Sequence, residues 1–253
     1  MILPLASGMD PADDAYGQAI RDYHERGEGF ELIERDDGYV DLSGGPELYF
    51  TGYEEWPDQV QRGLECVEGS VLDVGCGAGR HALYCQDRGH DALGIDVSPN
   101  AVAVAEDRGL ERARRLDVAN VDDLDETFDT VLMLGNNFGL VGTRETPPDR
   151  LAALARVTSD DARIVAGTRD VTATDAEHHL AYHERNRRRG RLPGAIRMRA
   201  RYRQYTTDWF DYLMVSPAEL QELLADTPWT ATDLFHAEDG SGQYVAVLEK
   251  DEG

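Results

Sequence analysis

The stretch of sequence that decides the fold is Val71-Leu72-Asp73-Val74-Gly75-Cys76-Gly77-Ala78-Gly79-Arg80. Its first four residues predict a buried strand, because three of them are apolar and flank a single acidic residue. The G-x-G-x-G turn that follows lets backbone N–H groups approach a ligand closely, and the helix predicted from Arg80 adds the partial positive charge of its N-terminus. A dinucleotide-binding loop has its third glycine where this chain has Arg80. The segment therefore predicts a strand, a ligand-binding loop and a helix, in that order.

Short apolar runs continue to alternate with helical patterns from Gly69 to about Thr168, which is typical of βα units around a parallel sheet. The predicted strands cover residues 70–74, 92–95, 115–116, 128–134 and 162–166. The predicted helices between them cover residues 80–88, 99–108 and 149–157. Two further strands, near residues 230–235 and 243–249, would add an antiparallel C-terminal edge. The predicted fold is α/β: a Rossmann-like, doubly wound, mostly parallel seven-stranded sheet.

The sequence on either side of this core predicts a cap and an insertion. Residues 1–68 form the predicted N-terminal cap, with a helix over 11–26, a hairpin that turns at Asp36-Asp37-Gly38 and a helix over 54–66. Residues 69–253 form the Rossmann-like domain, with an inserted lid region at about 170–212. The insertion combines a polar helix with an alternating run that begins at Ile196. The aromatic residues of the cap favour packing, although some cap residue must cover a bound ligand.

Four consecutive predicted strands end in polar or glycine residues. Asp96 ends the second strand 21 positions after Gly75, and Asp117 closes the third strand another 21 positions on. The fourth strand ends in Leu134-Gly135-Asn136-Asn137. Because the carboxyl ends of parallel strands meet at one edge, these residues are expected around one crevice. Asp96 is placed there to accept hydrogen bonds from a ribose, and Asp117 to meet an adenine amino group.

From Val71 to Gly139 the sequence resembles the core of a class I S-adenosylmethionine-dependent methyltransferase. The resemblance implies that S-adenosylmethionine is the cofactor and that three groups of residues bind it. The residues that would hold its amino-acid part are Asp73, Gly75, Cys76, Gly77 and Gly79. The residues that would bind its ribose and adenine are Asp96, Val97, Asp117 and Val118. The residues that would border its methyl group are Leu134, Gly135 and Asn136.

Structural alternatives exist for the three acidic residues of this set. Asp73 could cap the helix after the loop, but an acidic residue inside an apolar strand needs a partner, which favours a functional role. Asp96 could belong to a helix start in which Ser98 is the N-cap. Asp117 is the weakest of the three, because acidic residues are frequent around it.

The methyl acceptor is predicted to be a small molecule. Methyl transfer is an in-line displacement, so positioning can provide most of the rate enhancement, and Asn136 and Asn137 are candidates to orient the acceptor. The fourth strand does not end in the Asp/Asn-Pro-Pro-aromatic pattern of amino-methylating nucleic-acid enzymes. Its Gly135-Asn136-Asn137-Phe138 string is loosely similar to that of glycine and sarcosine N-methyltransferases.

Nine arginines fall between Arg185 and Arg203 in a chain with few other cations. One interpretation is a solvated face that pairs with acidic surface residues. The other is that the alternating Arg197, Arg199 and Arg201 grip a carboxylate or phosphate of the acceptor. This second interpretation predicts an acceptor that can be anionic. The cluster also permits an RNA methyltransferase as an alternative function. Arg80, in the first turn of its predicted helix, forms either a salt bridge or a further substrate contact.

Composition limits the partners and the location. The chain has 253 residues, a net charge of -24, and a single lysine, Lys250, among 25 Lys and Arg residues, which predicts a salt-adapted, halophilic protein. Excess negative charge disfavours nucleic acid. We predict a cytoplasmic protein, because its three cysteines lack CxxC spacing and its N-terminus is unlike a secretion signal. No membrane span is predicted, because the sequence has no long apolar run.

Two more hypotheses about function stay open. An NAD-dependent oxidoreductase would share the crevice and Asp96, although Arg80 at the third-glycine position speaks against it. A non-catalytic module could keep the cofactor pocket only for binding. His179 and His183 have a spacing that can bind a metal, but no third ligand is evident, so no metal is predicted.

Overall fold

The structure is a computed structural model that describes residues 13–142 and 146–250. Within these ranges the α-helices are α1 (Ala15–Arg26), α2 (Asp58–Leu64), α3 (Arg80–Asp87), α4 (Pro99–Asp107), α5 (Thr146–Arg156), α6 (Glu177–Arg188) and α7 (Pro217–Leu224). The strands are β1 (Leu32–Arg35), β2 (Val40–Leu42), β3 (Val71–Val74), β4 (Ala92–Asp96), β5 (Ala113–Arg115), β6 (Phe128–Met133), β7 (Thr158–Arg169), β8 (Ala195–Tyr202), β9 (Tyr205–Thr206), β10 (Phe210–Leu213), β11 (Trp229–His236) and β12 (Gln243–Lys250).

A large sheet in the order β11-β12-β7-β6-β3-β4-β5 forms the centre of the fold. Strands β3 to β7 are parallel to one another, whereas β12 pairs antiparallel with β7 and β11. The chain passes from β3 to β4 and β5, and then returns to place β6 on the other side of β3. The predicted seven-stranded, mostly parallel sheet with an antiparallel C-terminal edge is therefore confirmed. Its topological switch point lies between β3 and β6, where open α/β sheets bind ligands.

Helices cover both faces of this sheet. On one face, apolar residues of α5 and α7 join the buried side chains of Phe128, Trp229 and Tyr244. On the other face, α2 and α3 contribute Leu64 and Cys85 to a second buried cluster. This double covering explains why the central strands are apolar along their whole length.

Some predicted boundaries differ from the observed ones. The helix predicted over 54–66 is divided into a short 3-10 helix, Tyr53–Glu55, and α2. Pro57 explains the division, because a proline disfavours helical geometry in the residue before it. The first helix begins at Ala15, where Asp14 accepts a hydrogen bond from the N–H of Gly17, and residues 11 and 12 lie outside the described part of the chain.

A small antiparallel sheet has the order β10-β8-β1-β2, with β9 beside β8. It meets the large sheet where Tyr212 of β10 donates a hydrogen bond to Asn136, which follows β6. It joins the hairpin of residues 32–42 to strands from residues 195–213, so the sequence-predicted cap and insertion share one sheet. Its buried Tyr202 packs against Ala15 and Ala19 of α1. Asp14 fixes α1 to α4, since its Oδ2 accepts hydrogen bonds from Ser98 Oγ at 2.8 Å and from Asn100 N at 3.1 Å.

Of the helices that the structure describes, none combines the length and the apolar character that a membrane span requires.

Candidate cofactor site

The glycine loop directly follows β3 at the switch point of the large sheet. Gly75, Gly77 and Gly79 all adopt positive φ angles, of 70°, 55° and 77°. A Cβ atom at Gly77 would lie 2.9 Å from the hydroxyl of Tyr16, and one at Gly75 would lie 2.6 Å from Nδ2 of Asn137. Both the positive φ angles and the lack of room for a Cβ atom therefore require glycine at positions 75 and 77. Gly79 ends the loop, and α3 begins at Arg80.

Asp96 closes the loop from the neighbouring strand. Its side chain is buried at the end of β4, where Oδ2 accepts a hydrogen bond from Gly77 N at 2.9 Å and Oδ1 accepts one from Ser98 N at 2.9 Å. Burial raises the pKa of Asp96 to about 6, although these two N–H donors oppose the rise. The sequence-predicted ribose-binding residue thus lies in contact with the glycine loop.

Asp73 is the second buried carboxylate of the site. It lies within β3, and its Oδ2 accepts a hydrogen bond from Ala82 N in the first turn of α3 at 3.2 Å. Burial raises the pKa of Asp73 to about 7, while the hydrogen bond and the charge of Arg80 act in the opposite direction. Two acids whose charge is disfavoured by burial make a site that a cationic group would stabilise.

The ends of β4 and β5 provide the next predicted contacts. Val97 is 38% exposed, which leaves an apolar side chain uncovered directly after Asp96. Asp117 is exposed, and its Oδ1 accepts a hydrogen bond from Ala119 N at 2.8 Å, so it caps the 3-10 helix Val118–Asp123. Val118 is buried against the core. Asp117 and Val118 stand at the predicted edge of the sheet.

The segment after β6 places the residues predicted to border the methyl group. Leu134 is buried, Gly135 has a φ of 70°, and Asn136 adopts the left-handed conformation with a φ of 69°. The backbone O of Asn136 accepts a hydrogen bond from the hydroxyl of Tyr212. Asn137 Nδ2 donates to Val74 O at 3.1 Å and to Gly75 O at 2.8 Å. The Asn137 amide thus fixes the glycine loop, a positioning role that differs from the predicted orientation of the acceptor.

Arg80 points toward this same edge. Its Nη1 donates to Leu48 O and contacts Thr51 Oγ1, and its Nη2 would lie 3.7 Å from a Cβ atom at Gly135. Among the described residues, no carboxylate forms an ion pair with Arg80. Burial lowers the pKa of this guanidinium, a sign that its charge lacks full compensation. Arg80 is therefore available to a ligand carboxylate beside the loop.

The three arginines predicted to grip an anionic acceptor lie elsewhere. Arg197 pairs with Asp211 at 3.1 Å, whereas Arg199 and Arg201 pair with Glu34 at 2.9 Å and 3.2 Å. All three belong to one face of β8, because alternate residues of a strand point to opposite faces. The buried residues of β8, such as Tyr202, point to the other face, toward α1 and the loop. The structure thus does not bring these arginines to the cofactor site, and acidic neighbours already pair with them.

The structure adds residues that sequence reasoning did not assign to the site. Tyr16 and Tyr49 pack edge to face, with ring centroids 5.2 Å apart, beside Gly77. Glu31 accepts hydrogen bonds from Ser43 Oγ at 2.7 Å and from Tyr49 Oη at 3.3 Å. Tyr49 had a sequence signal, as an aromatic residue of the predicted cap, but Glu31 had none beyond its place before a short strand.

His179 and His183 do not form part of this site. His179 Nδ1 lies 3.1 Å from Nη1 of Arg35, and its ring contacts that of Tyr39. Burial lowers the pKa of His183 to about 4. Within residues 13–142 and 146–250, the His, Cys, Asp and Glu side chains form no cluster of three that could hold a metal ion.

Comparisons with known proteins agree with this geometry. A family described as a methyltransferase domain matches residues 71–161. Over 72 residues the chain is 38% identical to the 2-heptyl-1-hydroxyquinolin-4(1H)-one methyltransferase of Mycobacteroides abscessus, a match that covers 26% of this chain and 32% of that protein. Over 75 residues it is 36% identical to the glycine/sarcosine N-methyltransferase of Parasynechococcus marenigrum, covering 27% of each. The matches thus span about a third or less of these curated relatives.

A solved structure is similar over almost the whole chain. It is that of a SAM-dependent methyltransferase from Bacteroides fragilis in complex with S-adenosyl-L-homocysteine, with a TM-score of 0.81 and 26% sequence identity. The similarity covers 97% of this chain and 98% of that one. The chain therefore carries a class I S-adenosylmethionine-dependent methyltransferase domain. S-adenosylmethionine is the cofactor of this domain.

The residues present fit that cofactor. Its sulfonium and ammonium groups are cationic, and the site offers the two buried carboxylates Asp73 and Asp96. Its carboxylate is anionic, and Arg80 offers a guanidinium without an ion-pair partner in the described part of the chain. At Gly77 the loop carries no side chain, so its backbone can approach the cofactor closely.

Proposed function

We propose that the protein transfers the methyl group of S-adenosylmethionine to a small-molecule acceptor. The observation that carries this proposal is the convergence of Asp73, Asp96 and the glycine loop at the switch point of the large sheet. These groups face an edge where the apolar Val97 stays exposed. A nucleoside with a charged amino-acid tail matches this order of polar and apolar surface.

We assign the cofactor contacts as follows. Asp96 accepts hydrogen bonds from the ribose hydroxyls, and Val97 packs against the adenine. Asp73 and the loop residues Gly75, Cys76, Gly77 and Gly79 hold the amino-acid part. Asp117 and Val118 contact the far side of the adenine. Leu134, Gly135 and Asn136 border the methyl group, and Arg80 binds the cofactor carboxylate.

When bound, S-adenosylmethionine supplies an electrophilic methyl group on a positively charged sulfur. The chain provides positioning, because an in-line displacement needs the nucleophile, the methyl carbon and the sulfur on one line. Asn137 holds the loop through its two hydrogen bonds to backbone oxygens. Tyr16 and Tyr49 cover the loop and exclude water from the reacting groups.

A small acceptor is supported by two of the similar proteins. The relative from Mycobacteroides abscessus is named for a quinolone, and the one from Parasynechococcus marenigrum for glycine and sarcosine. The arginines that suggested an anionic acceptor pair instead with Glu34 and Asp211. We therefore propose a small acceptor whose charge is not set by these arginines.

The alternative functions have less support. An RNA methyltransferase would need the basic region of residues 185–203 to face its substrate, but acidic side chains already pair with several of these arginines. An NAD-dependent oxidoreductase would have a glycine where this chain has Arg80, whose guanidinium lies beside the loop. We further propose a reducing, cytoplasmic location, in agreement with three unpaired cysteines.

Calorimetry tests the proposed function. S-adenosylmethionine, S-adenosylhomocysteine and NAD are titrated into the protein in multimolar potassium chloride. We expect micromolar binding of the two sulfur compounds and no binding of NAD. In Asp96→Ala the free energy of cofactor binding should weaken by a few kcal/mol, because charge-assisted hydrogen bonds are removed.

Asp129→Ala is the matched control for the Asp96 variant. Asp129 accepts hydrogen bonds from Ser70 and Ser159 near the start of β6, at the opposite edge of the sheet. Its removal should leave cofactor affinity unchanged. Equal affinity of wild type and Asp96→Ala would contradict the ribose assignment, and no binding of either sulfur compound to folded protein would overturn the function.

A further inference from the structure

Within residues 13–142 and 146–250, Glu31 is a buried carboxylate without a counter-ion. It precedes β1 and is 5% exposed. Both of its hydrogen bonds, from Ser43 Oγ and Tyr49 Oη, end on Oε2. Among the described residues, no cation forms an ion pair with Glu31 and no donor reaches its Oε1. Burial of a carboxylate in this state is costly unless a partner binds it.

Asp22 shows how this protein compensates another buried carboxylate. It is 3% exposed on α1, its Oδ2 accepts a hydrogen bond from Tyr202 Oη at 2.8 Å, and Arg203 pairs with it at 2.9 Å. A second cation, Arg26, lies 3.6 Å away. Glu31 has comparable burial and a comparable tyrosine donor but none of the cations. The difference indicates that the partner of Glu31 lies outside the described part of the chain.

The position of Glu31 connects it to the cofactor site. Tyr49, which donates to Glu31, packs against Tyr16, and the Tyr16 hydroxyl lies beside Gly77 of the loop. On its other side Glu31 acts on Tyr212, since burial and then the negative charge of Glu31 raise the pKa of that phenol. Tyr212 in turn contacts Asn136 at the end of β6. Glu31 therefore lies near both the covering tyrosines and the strand end that we propose borders the methyl group.

The register of the small sheet also directs Glu31 inward. In the register of β1 with β8, Glu34 lies opposite Arg199 and Leu32 lies opposite Arg201, so these residues share the outer, arginine-bearing face. Ile33 lies opposite Ala200, and both belong to the other face of the sheet. Glu31 is two residues from Ile33 and so belongs to that inner face. The inner face of the small sheet thus presents the Glu31 carboxylate. Arg35 shares this face but pairs with Asp37 at 2.8 Å, whereas Arg197, Arg199 and Arg201 lie on the outer face.

We propose that Glu31 binds the amino group of the methyl acceptor and removes a proton from it, which makes the acceptor a small amine. This inference rests on the proposed function and deepens it. The ammonium group of the acceptor transfers one proton to the Glu31 carboxylate and so regains its lone pair. The nitrogen then forms a bond to the methyl carbon as the carbon–sulfur bond breaks, and the bonding pair leaves with the sulfur. Glu31 returns its proton to solvent after the product leaves.

Three ligands of similar size test this assignment: benzylamine, benzyl alcohol and benzoate. Each is titrated by calorimetry into the protein saturated with S-adenosylhomocysteine. We expect wild type to bind benzylamine at least about tenfold more tightly than benzyl alcohol or benzoate, because the charge-assisted hydrogen bond forms only with the amine. In Glu31→Gln, which keeps the shape and removes the charge, benzylamine should lose this advantage.

Control measurements separate a binding role from a structural one. Glu31→Gln should keep its affinity for S-adenosylhomocysteine within about twofold and should melt no lower than wild type, because it removes an uncompensated buried charge. Glu31→Asp retains the charge and should recover part of the amine preference. Tyr49→Phe removes a donor but leaves the carboxylate, so its preference for the amine should persist.

The outcomes distinguish this inference from the proposed function. Benzylamine affinities of wild type and Glu31→Gln within about twofold would overturn the role of Glu31, and so would benzoate or benzyl alcohol that binds wild type as tightly as the amine. Failure of all three ligands to bind wild type would overturn it as well. Failure of wild type to bind S-adenosylhomocysteine would overturn the proposed function instead.

Discussion

The hydroxyl of Tyr212 donates a hydrogen bond of 2.5 Å to the backbone oxygen of Asn136. Tyr212 belongs to β10 of the small sheet, whereas Asn136 follows β6 of the large one. The ring of Tyr212 also fills the space beside Gly139, where a Cβ atom would lie 2.5 Å from it. This contact joins the cover of the site to the strand end that we propose borders the methyl group.

Tyr212→Phe should weaken both stability and cofactor binding. The change removes the hydroxyl but keeps the ring, so we expect the free energy of unfolding to fall by about 1 kcal/mol, the typical net value of one hydrogen bond. Loss of this contact also frees the left-handed backbone of Asn136, so the affinity for S-adenosylhomocysteine should fall. Guanidinium denaturation and calorimetry measure the two effects.

Tyr202→Phe is the control for this prediction. The Tyr202 hydroxyl donates to Asp22 on α1 and does not contact the end of β6. This variant should lose a similar amount of stability and keep its cofactor affinity. Equal cofactor affinities in the two variants would show that the bond to Asn136 does not position the site.

The large sheet and its loop were predictable because their signals are local. Glycines at 75, 77 and 79 indicate a backbone with positive φ angles. Asp96 lies at the end of the adjacent strand, at the spacing expected from the sequence. The boundary errors are equally local, as Pro57 shows by dividing a predicted helix. Such features depend on a few neighbouring residues, which one sequence displays directly.

The small sheet was not predictable as one unit, because its pairing is distant in sequence. Glu34 and Arg199 form an ion pair across 165 positions. Alternation along the strand places Arg197, Arg199 and Arg201 on one face, but it does not say whether that face points toward the site. The register with β1 decides this, and the same register places Glu31 on the inner face.

Gly77→Ala should impair both the fold and cofactor binding. The residue has a φ of 55°, and the added Cβ would lie 2.9 Å from the Tyr16 hydroxyl. Strain of the left-handed backbone costs about 1–2 kcal/mol, and displacement of Tyr16 would add to it. We expect a lower melting temperature and no detectable binding of S-adenosylhomocysteine by calorimetry.

Gly89→Ala separates strain from contact with the ligand. Gly89 has a φ of 89° after α3, but an added Cβ there meets no atom within 4 Å. The Gly89→Ala variant should lose only the stability that backbone strain costs, and it should bind the cofactor with wild-type affinity. Cofactor binding by Gly77→Ala at wild-type strength would mean that the loop does not hold the ligand.

Cofactor affinity should fall as the pH decreases. Burial raises the pKa of Asp96 to about 6 and that of Asp73 to about 7. Both carboxylates are ionised above pH 8, and each takes up a proton as the pH falls to 5. Because the ribose hydroxyls and the cofactor ammonium favour the ionised forms, binding should be tightest near pH 8 and weaken progressively below pH 7.

The stability of the ligand-free protein should change in the opposite direction. A carboxyl whose pKa is higher in the folded than in the unfolded state stabilises the fold while it is protonated, and this contribution is lost as the pH rises from about 4 to 7. Asp96→Asn removes the contribution of Asp96 to both curves. An affinity for S-adenosylhomocysteine that stays constant between pH 5 and 8 would contradict the ionisation of these groups on binding.

Replacement of Arg197, Arg199 and Arg201 together by glutamine should have little effect on the site. The arginine side chains of these pairs are partly exposed, at 46%, 29% and 47%, although Glu34 itself is 16% exposed. Each such pair contributes about 0–1 kcal/mol, so we expect a small loss of stability and unchanged affinity for S-adenosylhomocysteine. Calorimetry and thermal melting check both values. A large loss of cofactor or acceptor binding would show that these arginines contribute to the binding site.

Salt should stabilise the fold strongly. The chain has 49 acidic against 25 basic residues, and the repulsion between its carboxylates extends over about 10 Å in 0.1 M salt but only about 3 Å in 1 M salt. We expect the melting temperature to rise steadily between 0.1 M and 3 M potassium chloride at pH 7. Near the sequence pI of about 4.5 the net charge vanishes, so the same titration should produce a much smaller rise. Equal salt dependence at the two pH values would show that the salt acts through burial of apolar surface and not through charge screening.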